Sequence, residues 1–341
     1  MTDAIDDNHR TGSEGLEERG DGFVTRGESM DRDRDRDRDR DSTTVNGGAP
    51  DRGTGAVHAG GSGELSGAAR RMMGSNEANW DARTPVHLAS GFYGLADGLD
   101  PARWFAPFEW DDLGPLDGRD LVHLQCHLGT ETLAFAERGA HAVGLDLSGA
   151  SVRAARDIAA RAKADIPYVQ ANVYDAVEAL EGRRFDVVYT GKGALCYLPD
   201  LDRWAGTIAR LLRPGGRLYV VEFHPLLNAL GPKPGADEGP ELLLRHDYLG
   251  GRGAVLRDAR YTYTDGPAVS GATDSYEWMH GLGEIVDAVV GAGLRIETLR
   301  EYDELPWPRW PDMTRTPSGW WRLPEDAPRV PHMFALLASA P

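Results

Sequence analysis

Between Leu121 and Val221, short apolar runs alternate with stretches whose apolar side chains recur at helical spacing. Leu121–Leu124, His141–Leu145, Tyr168–Ala171, Phe185–Thr190 and Arg217–Val221 read as five strands. Thr130–Arg138, closed by Gly139, and then Ala150–Ala164 and Leu201–Leu212 read as helices between them. Val152, Ala155, Ile158 and Ala159 share one face of the second helix; Leu201, Trp204, Ile208, Leu211 and Leu212 share one face of the third. Strands separated by helices of this length are joined by right-handed crossovers. The alternation therefore predicts an α/β fold with a doubly wound, Rossmann-like, mostly parallel sheet.

After Pro225 the rhythm breaks. ELLLRHDYLGGRGAVLRDARYTYT, residues 241–264, reads as two strands around a turn at Gly250–Gly253. A helix is expected at Leu282–Ala292 with Ile285, Val286, Val289 and Val290 inward, then strands at Leu294–Leu299 and His332–Leu337. Residues 1–72 differ in kind: they are rich in Gly, Asp, Arg, Ser and Thr, and include DRDRDRDRDRD at Asp31–Asp41. That run puts opposite charges at i+3 but like charges at i+4, so a helix gains little from it. A segment with so few apolar side chains is expected to stay a disordered, low-complexity extension. Met72 and Met73 stand just before the first sequence with the texture of a fold, where an alternative start is also expected to be possible.

The net charge of −17 argues against nucleic acid as a partner, because phosphate neutralisation needs a basic surface. Two cysteines, Cys126 and Cys196, do not make a disulfide scaffold and fit a reducing cytoplasm. No secretory leader and no apolar run of about 20 residues is found, so no membrane association is expected.

In an open α/β sheet, ligands bind at the carboxyl ends of the strands. Those ends here are QCHLG, GLDLS, ANVYD, TGKGALCYLP and EFHP. Asp146, about 20 residues beyond the first loop, stands where a carboxylate accepts both hydroxyls of a ribose; next to Ser148 it also suits a helix cap. The first loop, LVHLQCHLGTET, has the strand–elbow–helix shape of a nucleotide site. Two positions where such loops usually carry glycine hold Gln125 and His127. Gly129 remains, and lets backbone approach a ligand closely.

LVHLQCHLGTETLAFAERGAHAVGLDLS resembles the first strand–loop–helix–strand unit of class I S-adenosylmethionine (SAM)-dependent methyltransferases, and FDVVYTGKGALCYLPDLDRWAGTIARLLRPGGRLYVVEFHP their fourth and fifth strands. LLRPGGRLYV is the most specific piece. NWDARTPVHLAS and YEWMHGLGEI look like a bacterial subgroup whose loop reads LHLQCHxG, with Met279 where that subgroup has Asn. The resemblance implies a seven-stranded methyltransferase-type sheet with an antiparallel last strand. It places an N-terminal lid at 76–115, a cofactor core at 116–225, a substrate cover at 226–277 and the completion of the sheet at 278–341, all within a domain spanning 73–341.

Carried over by position, Gln125, His127 and Gly129 would line the methionine end of SAM, Asp146 would hold the ribose, Asn172 and Val173 would flank adenine, and Gly191 and Lys192 would lie near the carboxylate. Trp80, His87 and Tyr93 would belong to the lid, with Tyr197 and Trp278 on the substrate side. The implied activity is transfer of a methyl group to O or N of a small molecule, by in-line attack that needs positioning and desolvation above all. Where a proton must leave the acceptor, histidine is the natural base. His224 ranks first, beside Glu222 at the end of a central strand; His280 and His87 follow, and each also has a structural reading. A zinc site at His123, Cys126 and His127 lacks a second cluster to complete four ligands, so no metal is expected. Five tryptophans after residue 270 read mainly as packing of a loop-rich extension. Two other readings remain open at this point: a nicotinamide-dependent oxidoreductase, and a cofactor-free binding module on the same sheet. The acceptor and the oligomeric state are not legible in the sequence.

Overall fold

A computed structural model describes residues 65–95, 99–230 and 242–341, all within one compact unit made of Gly53–Pro234 and Gly239–Pro341. The expectation for residues 1–64 lies outside the described residues. The chain forms α1 (Gly67–Ala89), α2 (Pro107–Leu113), β1 (Asp120–Leu124), α3 (Thr130–Glu137), β2 (His141–Asp146), α4 (Gly149–Arg161), β3 (Tyr168–Gln170), α5 (Ala176–Ala179), β4 (Phe185–Gly191), α6 (Leu201–Leu211) and β5 (Leu212–Phe223). It continues with α7 (Pro225–Leu230), β6 (Ala254–Asp258), β7 (Asp274–Trp278), α8 (Leu282–Gly291), β8 (Arg295–Tyr302), β9 (Glu304–Leu305), β10 (Thr314–Arg315), β11 (Trp321–Arg322) and β12 (Met333–Ser339).

Seven strands form one sheet in the order β3-β2-β1-β4-β5-β12-β8. β3, β2, β1, β4 and β5 pair parallel, and β12 runs antiparallel to both β5 and β8. Side chains alternate faces along a strand, so a sheet covered on both sides must be apolar at successive positions. Val122, Leu124, Val188, Leu218, Val220, Phe334 and Leu336 enter the core beneath α6 and α8, whereas Leu121, Val187, Tyr189, Tyr219, Val221, Met333 and Ala335 enter the core shared with Phe105, Leu113 and Phe135. Trp204 of α6 is fully buried in the first core. An aromatic of that size removes on the order of 200 Å² from water, worth about 5 kcal/mol at the usual coefficient.

The tight turn from α6 into β5 uses Gly215 at φ +73° and Gly216, where a Cβ would lie 2.9 Å from the Arg213 carbonyl oxygen and 3.0 Å from that of Phe185. Strand order reverses between β1 and β4, which opens a crevice at their carboxyl ends.

Three expectations change. The first helix starts at Gly67, inside the segment assigned to the extension, because Ser66 caps it through Ala69 N–H (3.1 Å). Residues 242–264 do not form a hairpin about Gly250–Gly253: only Ala254–Asp258 is a strand, and its antiparallel partner is β7. The reason is long-range. Asn76 of α1 donates Nδ2–H to the Tyr276 carbonyl (2.8 Å) and accepts the Tyr276 N–H at Oδ1 (2.7 Å), which fixes β7 as the strand available for pairing. In α8, Ala288 is buried with Ile285 and Val289, Val286 is partly buried, and Val290 is 54% exposed.

α1 passes through Pro85 to Ala89, with the Thr84 hydroxyl bonded to the Trp80 carbonyl one turn back (2.9 Å). It is tied at several points: Asn79 Nδ2–H reaches the Ala272 carbonyl (2.8 Å), and Asp81 accepts both the Ser148 hydroxyl (2.5 Å) and the Ala150 N–H (2.9 Å) at the start of α4. An aspartate at a helix N-terminus satisfies orphan donors and complements the helix dipole. Among the described residues, no helix is long and apolar enough to cross a membrane.

Asn76→Ala leaves a donor and an acceptor of Tyr276 without their partner, so it should cost about 2 kcal/mol in urea unfolding. Ser75→Ala, whose hydroxyl makes a long exposed bond to Arg71, should change stability by less than about 0.5 kcal/mol.

Candidate functional site

The crevice at the carboxyl ends of β1, β2 and β4 is a cleft lined by residues of those strands' loops and of α1. Its floor is the β1–α3 loop. Gln125, His127 and Gly129 have φ of 57°, 47° and 70°, so the backbone is left-handed at every second residue. The two positions that hold side chains in place of glycine thus keep the glycine conformation. Gln125 Nε2–H donates to the Ala194 carbonyl beyond β4 (2.9 Å), and the His127 N–H donates to Asp146 Oδ2 (2.8 Å). Gly129 is needed for a different reason from the expected one. A Cβ there would fall 2.5 Å from the Tyr168 hydroxyl, so the missing side chain makes room for that ring rather than for a ligand.

The His127 ring belongs to a run of buried polar groups. Thr84 spends its one hydroxyl hydrogen on the Trp80 carbonyl, so Ser151 Oγ, 2.9 Å away, must donate to Thr84. Ser151 then accepts from His127 Nδ1 (3.0 Å), which leaves His127 Nε2 to accept from His87 Nδ1 (2.8 Å) and His87 Nε2 to accept from the Thr262 hydroxyl (2.7 Å). With both imidazoles neutral, these bonds define their tautomers. Their pKa values agree: burial and then the Arg83 charge lower His87 to about 3, and burial, His87 and Arg83 hold His127 well below its ordinary value. His87 lies behind the cleft wall; His127 lines the cleft.

Asp146 ends β2. Its Oδ1 accepts the Ser148 N–H and its Oδ2 the His127 N–H, each at 2.8 Å. Burial raises its pKa to about 6 against the pull of those two donors. Asn172 caps the turn at Val173–Asp175 through Tyr174 N–H (3.1 Å), and Asn172, Val173 and Met73 line one end of the cleft. Gly191 and Lys192 line the other side, but the Lys192 ammonium is engaged by Glu109 (3.1 Å) and the Tyr189 hydroxyl (3.2 Å). It is thus half of a buried ion pair and not a free cation for a ligand carboxylate. Trp80, Tyr93 and Tyr197 form an aromatic wall.

Sequence reading missed Glu131, whose carboxylate accepts the Thr130 hydroxyl (2.6 Å) on the cleft lining, and Tyr263, whose hydroxyl meets that of Tyr93 at 2.5 Å. Glu131 looks like any acidic residue in a first helical turn, and Tyr263 comes from a segment without a recognisable pattern. His123 also lines the cleft, bonded to Thr132 (2.9 Å) and lowered by burial to about 4.

The leading candidate base is elsewhere. His224 lines no part of the cleft; its Nδ1 accepts the Leu226 N–H (3.1 Å) at the start of α7, and its Nε2 faces Glu301 (2.9 Å). Its neighbour Glu222 is occupied by the N–H groups of Gly193, Ala194, Leu195 and Phe223. His280 and Trp278 line a second, smaller cavity that shares Gly193 with the cleft. There His280 Nε2 is bonded to the Leu198 carbonyl (2.7 Å) and Nδ1 faces Glu284 (3.1 Å), so both nitrogens are engaged by acceptors of the chain itself. Of the late tryptophans, Trp310 and Trp320 are core residues, while Trp307 packs on Phe223 (5.0 Å between ring centres).

Residues 122–218 match the family described as "Methyltransferase domain". The chain is 34% identical over 112 residues to a ubiquinone biosynthesis O-methyltransferase of Alkalilimnicola ehrlichii, covering 33% of this chain and 44% of that one. It is 29% identical over 117 residues to the Brucella anthropi protein of the same name, covering 34% and 46%. The match thus spans less than half the length of these curated relatives. A protein of Listeria monocytogenes described as an S-adenosylmethionine-dependent methyltransferase superposes with a TM-score of 0.51 at 20% identity, covering 71% of this chain and 98% of that one. At that identity the likeness establishes the fold.

Gln125→Ala should destabilise more than Gln125→Gly, by about 1 kcal/mol in thermal or urea unfolding. Both lose the Ala194 bond, but only alanine keeps the left-handed strain. Equal stabilities would mean that the loop relaxes.

Proposed function

We propose that this chain, which carries a methyltransferase domain on the class I methyltransferase fold, binds SAM in the cleft and transfers its methyl group to O or N of a small molecule. The observation that carries this reading is Asp146. Its carboxylate stands at the end of β2 with one lone pair on each oxygen held by a backbone N–H. The remaining lone pairs match the two hydroxyls of a ribose.

The rest of the cleft fits the same group. Asn172, Val173 and Met73 supply a slot for adenine, and Gln125, His127 and Glu131 line the methionine end, where the Glu131 carboxylate complements positive charge. When bound, SAM supplies a methyl group already activated on a sulfonium. What remains for the protein is to orient the acceptor and to exclude water, and the rings of Trp80, Tyr197 and Tyr263 suit that work. No histidine of the cleft is free to take a proton: His127 is committed at both nitrogens and burial makes His123 a weak base.

Calorimetric titration should give SAM binding and no comparable binding of NAD(H); the reverse would end this reading. His127→Ala should weaken SAM binding, because the loop loses its tie to α1.

The pH dependence has a defined sign. Asp146 is ionised above about pH 6 and protonated below it. Protonation turns one acceptor oxygen into a donor, so SAM affinity should fall as pH drops through about 6. Asp146→Asn should bind at least about tenfold more weakly near neutral pH and lose that dependence. An unchanged affinity in this variant would remove Asp146 from the site.

A further inference from the structure

Arg83 is not explained by the cofactor. An arginine side chain carries a guanidinium cation, yet Arg83 is only 7% exposed. Among the described residues it forms no ion pair, and its one hydrogen-bond contact is the Tyr197 hydroxyl at the long distance of 3.5 Å. Its Nε is buried without a partner, and its terminal carbon lies 4.9 Å from the centre of the Trp80 ring. A buried charge is ordinarily paired.

Four carboxylates of the surrounding elements are engaged elsewhere. Asp81, on the same helix, caps α4, and Asp265 accepts the N–H groups of Gly91 and Phe92. Glu277 of β7 is bound to Arg257 (3.1 Å), and Glu222 is surrounded by four backbone N–H groups. Glu131, on the cleft lining, is hydrogen-bonded to Thr130 and does not pair with Arg83 either, so among the described residues this planar, bidentate cation meets no anion.

We propose that Arg83 is the recognition residue of an acceptor subsite, and that the acceptor is an organic carboxylate whose apolar body lies against Trp80 and Tyr197. The inference rests on the SAM-binding reading above. Trp80 and Tyr197 meet edge to face at 5.4 Å, and both line the cleft, so the two side chains that Arg83 touches are part of the wall. Tyr263, 44% exposed, completes that wall at the open side.

The Arg83 charge acts on Tyr197, Cys196 and Tyr263, and also on Tyr93, His87 and His127, whereas the influences on Asp146 are its own burial, two backbone donors and Asp81. Arg83 itself lines neither cavity; through its contacts with Trp80 and Tyr197 it stands behind the aromatic wall. A guanidinium fork takes a carboxylate through two parallel hydrogen bonds, which discriminates strongly against the amide or ester of the same acid.

The rival source of a carboxylate is the methionine end of SAM itself, and one experiment separates the two. Full-length protein holding S-adenosylhomocysteine is titrated with trans-cinnamate and with cinnamamide, read by tryptophan fluorescence. SAM and 5′-methylthioadenosine, which lacks the carboxylate, are titrated by calorimetry. Wild type, Arg83→Gln and Arg83→Lys are compared.

The wild type should bind cinnamate at least about tenfold more tightly than cinnamamide. Arg83→Gln should abolish that preference while SAM affinity stays within about twofold, which also reports an intact fold. Arg83→Lys, which keeps the charge but loses the planar fork, should show an intermediate preference and serves if the glutamine variant does not fold. A wild type without preference for the acid overturns the proposal. So does an Arg83 variant that loses SAM affinity while 5′-methylthioadenosine binding is unchanged, because the arginine then belongs to the cofactor's carboxylate. Failure of the wild type to bind SAM would instead overturn the preceding reading, and the two failures are read on separate ligands.

Discussion

The cleft depends on holding a left-handed backbone at residues that carry side chains. Each such residue costs roughly 1–2 kcal/mol relative to the right-handed region, and here two fall within three positions, Gln125 and His127. Glycine would remove that cost, but it would also remove what fastens the loop. Gln125 reaches across to the Ala194 carbonyl, and the His127 ring is bonded on one side to Ser151 of α4 and on the other to His87 of α1. The shape that glycine permits is enforced here by side-chain hydrogen bonds. The His127 N–H is thereby aimed at Asp146, the residue on which the reading of the site rests.

This arrangement makes α1 a strut. It is bonded to β7 through Asn76, to Ala272 through Asn79, to the start of α4 through Asp81 and to the first loop through His87. The polar run from Thr262 to the Trp80 carbonyl has one consistent direction of donation, set by the carbonyl at its end. Neutral histidines suit it: in these tautomers a proton added to His127 would go to Nε2, where it would face the His87 Nδ1–H at 2.8 Å. The wall that carries Trp80 and Arg83 is therefore fixed by the bonds that hold the loop. An N-terminal flap free to swing over the cofactor is a poor description of a helix tied down at four places.

Much of this fold was legible in the sequence, because the sheet is covered on both faces and its strands announce themselves by apolar runs. The same logic located Asp146, since position at a strand end is a matter of order along the chain. What was not legible depends on contacts between distant segments. Asn76 and Tyr276 are separated by 200 positions, yet their pairing decides which segment becomes the partner of β6. His224 is the opposite case. It stands at the end of a central strand, as a catalytic base would, but the chain turns there into α7 and uses the ring to receive Leu226 N–H. Val290 fits the apolar pattern of α8 but lies past the edge of the stripe that packs on the sheet, where Ala288 is inward instead.

The distribution of charge in the cleft follows from these commitments. Lys192 is neutralised by Glu109, and His87 and His127 are held uncharged by burial and by the order of their hydrogen bonds. The charges left over are the carboxylates of Glu131 and Asp146 on the lining and the guanidinium of Arg83 behind the aromatic wall. A cleft that is negative where the sheet ends and positive behind Trp80 and Tyr197 sorts its ligands by sign. A sulfonium is attracted to the carboxylates, and an anion to the arginine. With little water between them, such interactions are stronger than at an exposed surface. An acceptor bearing a free ammonium would meet Arg83 as a like charge, whereas one bearing a carboxylate would supply the partner that this arginine lacks.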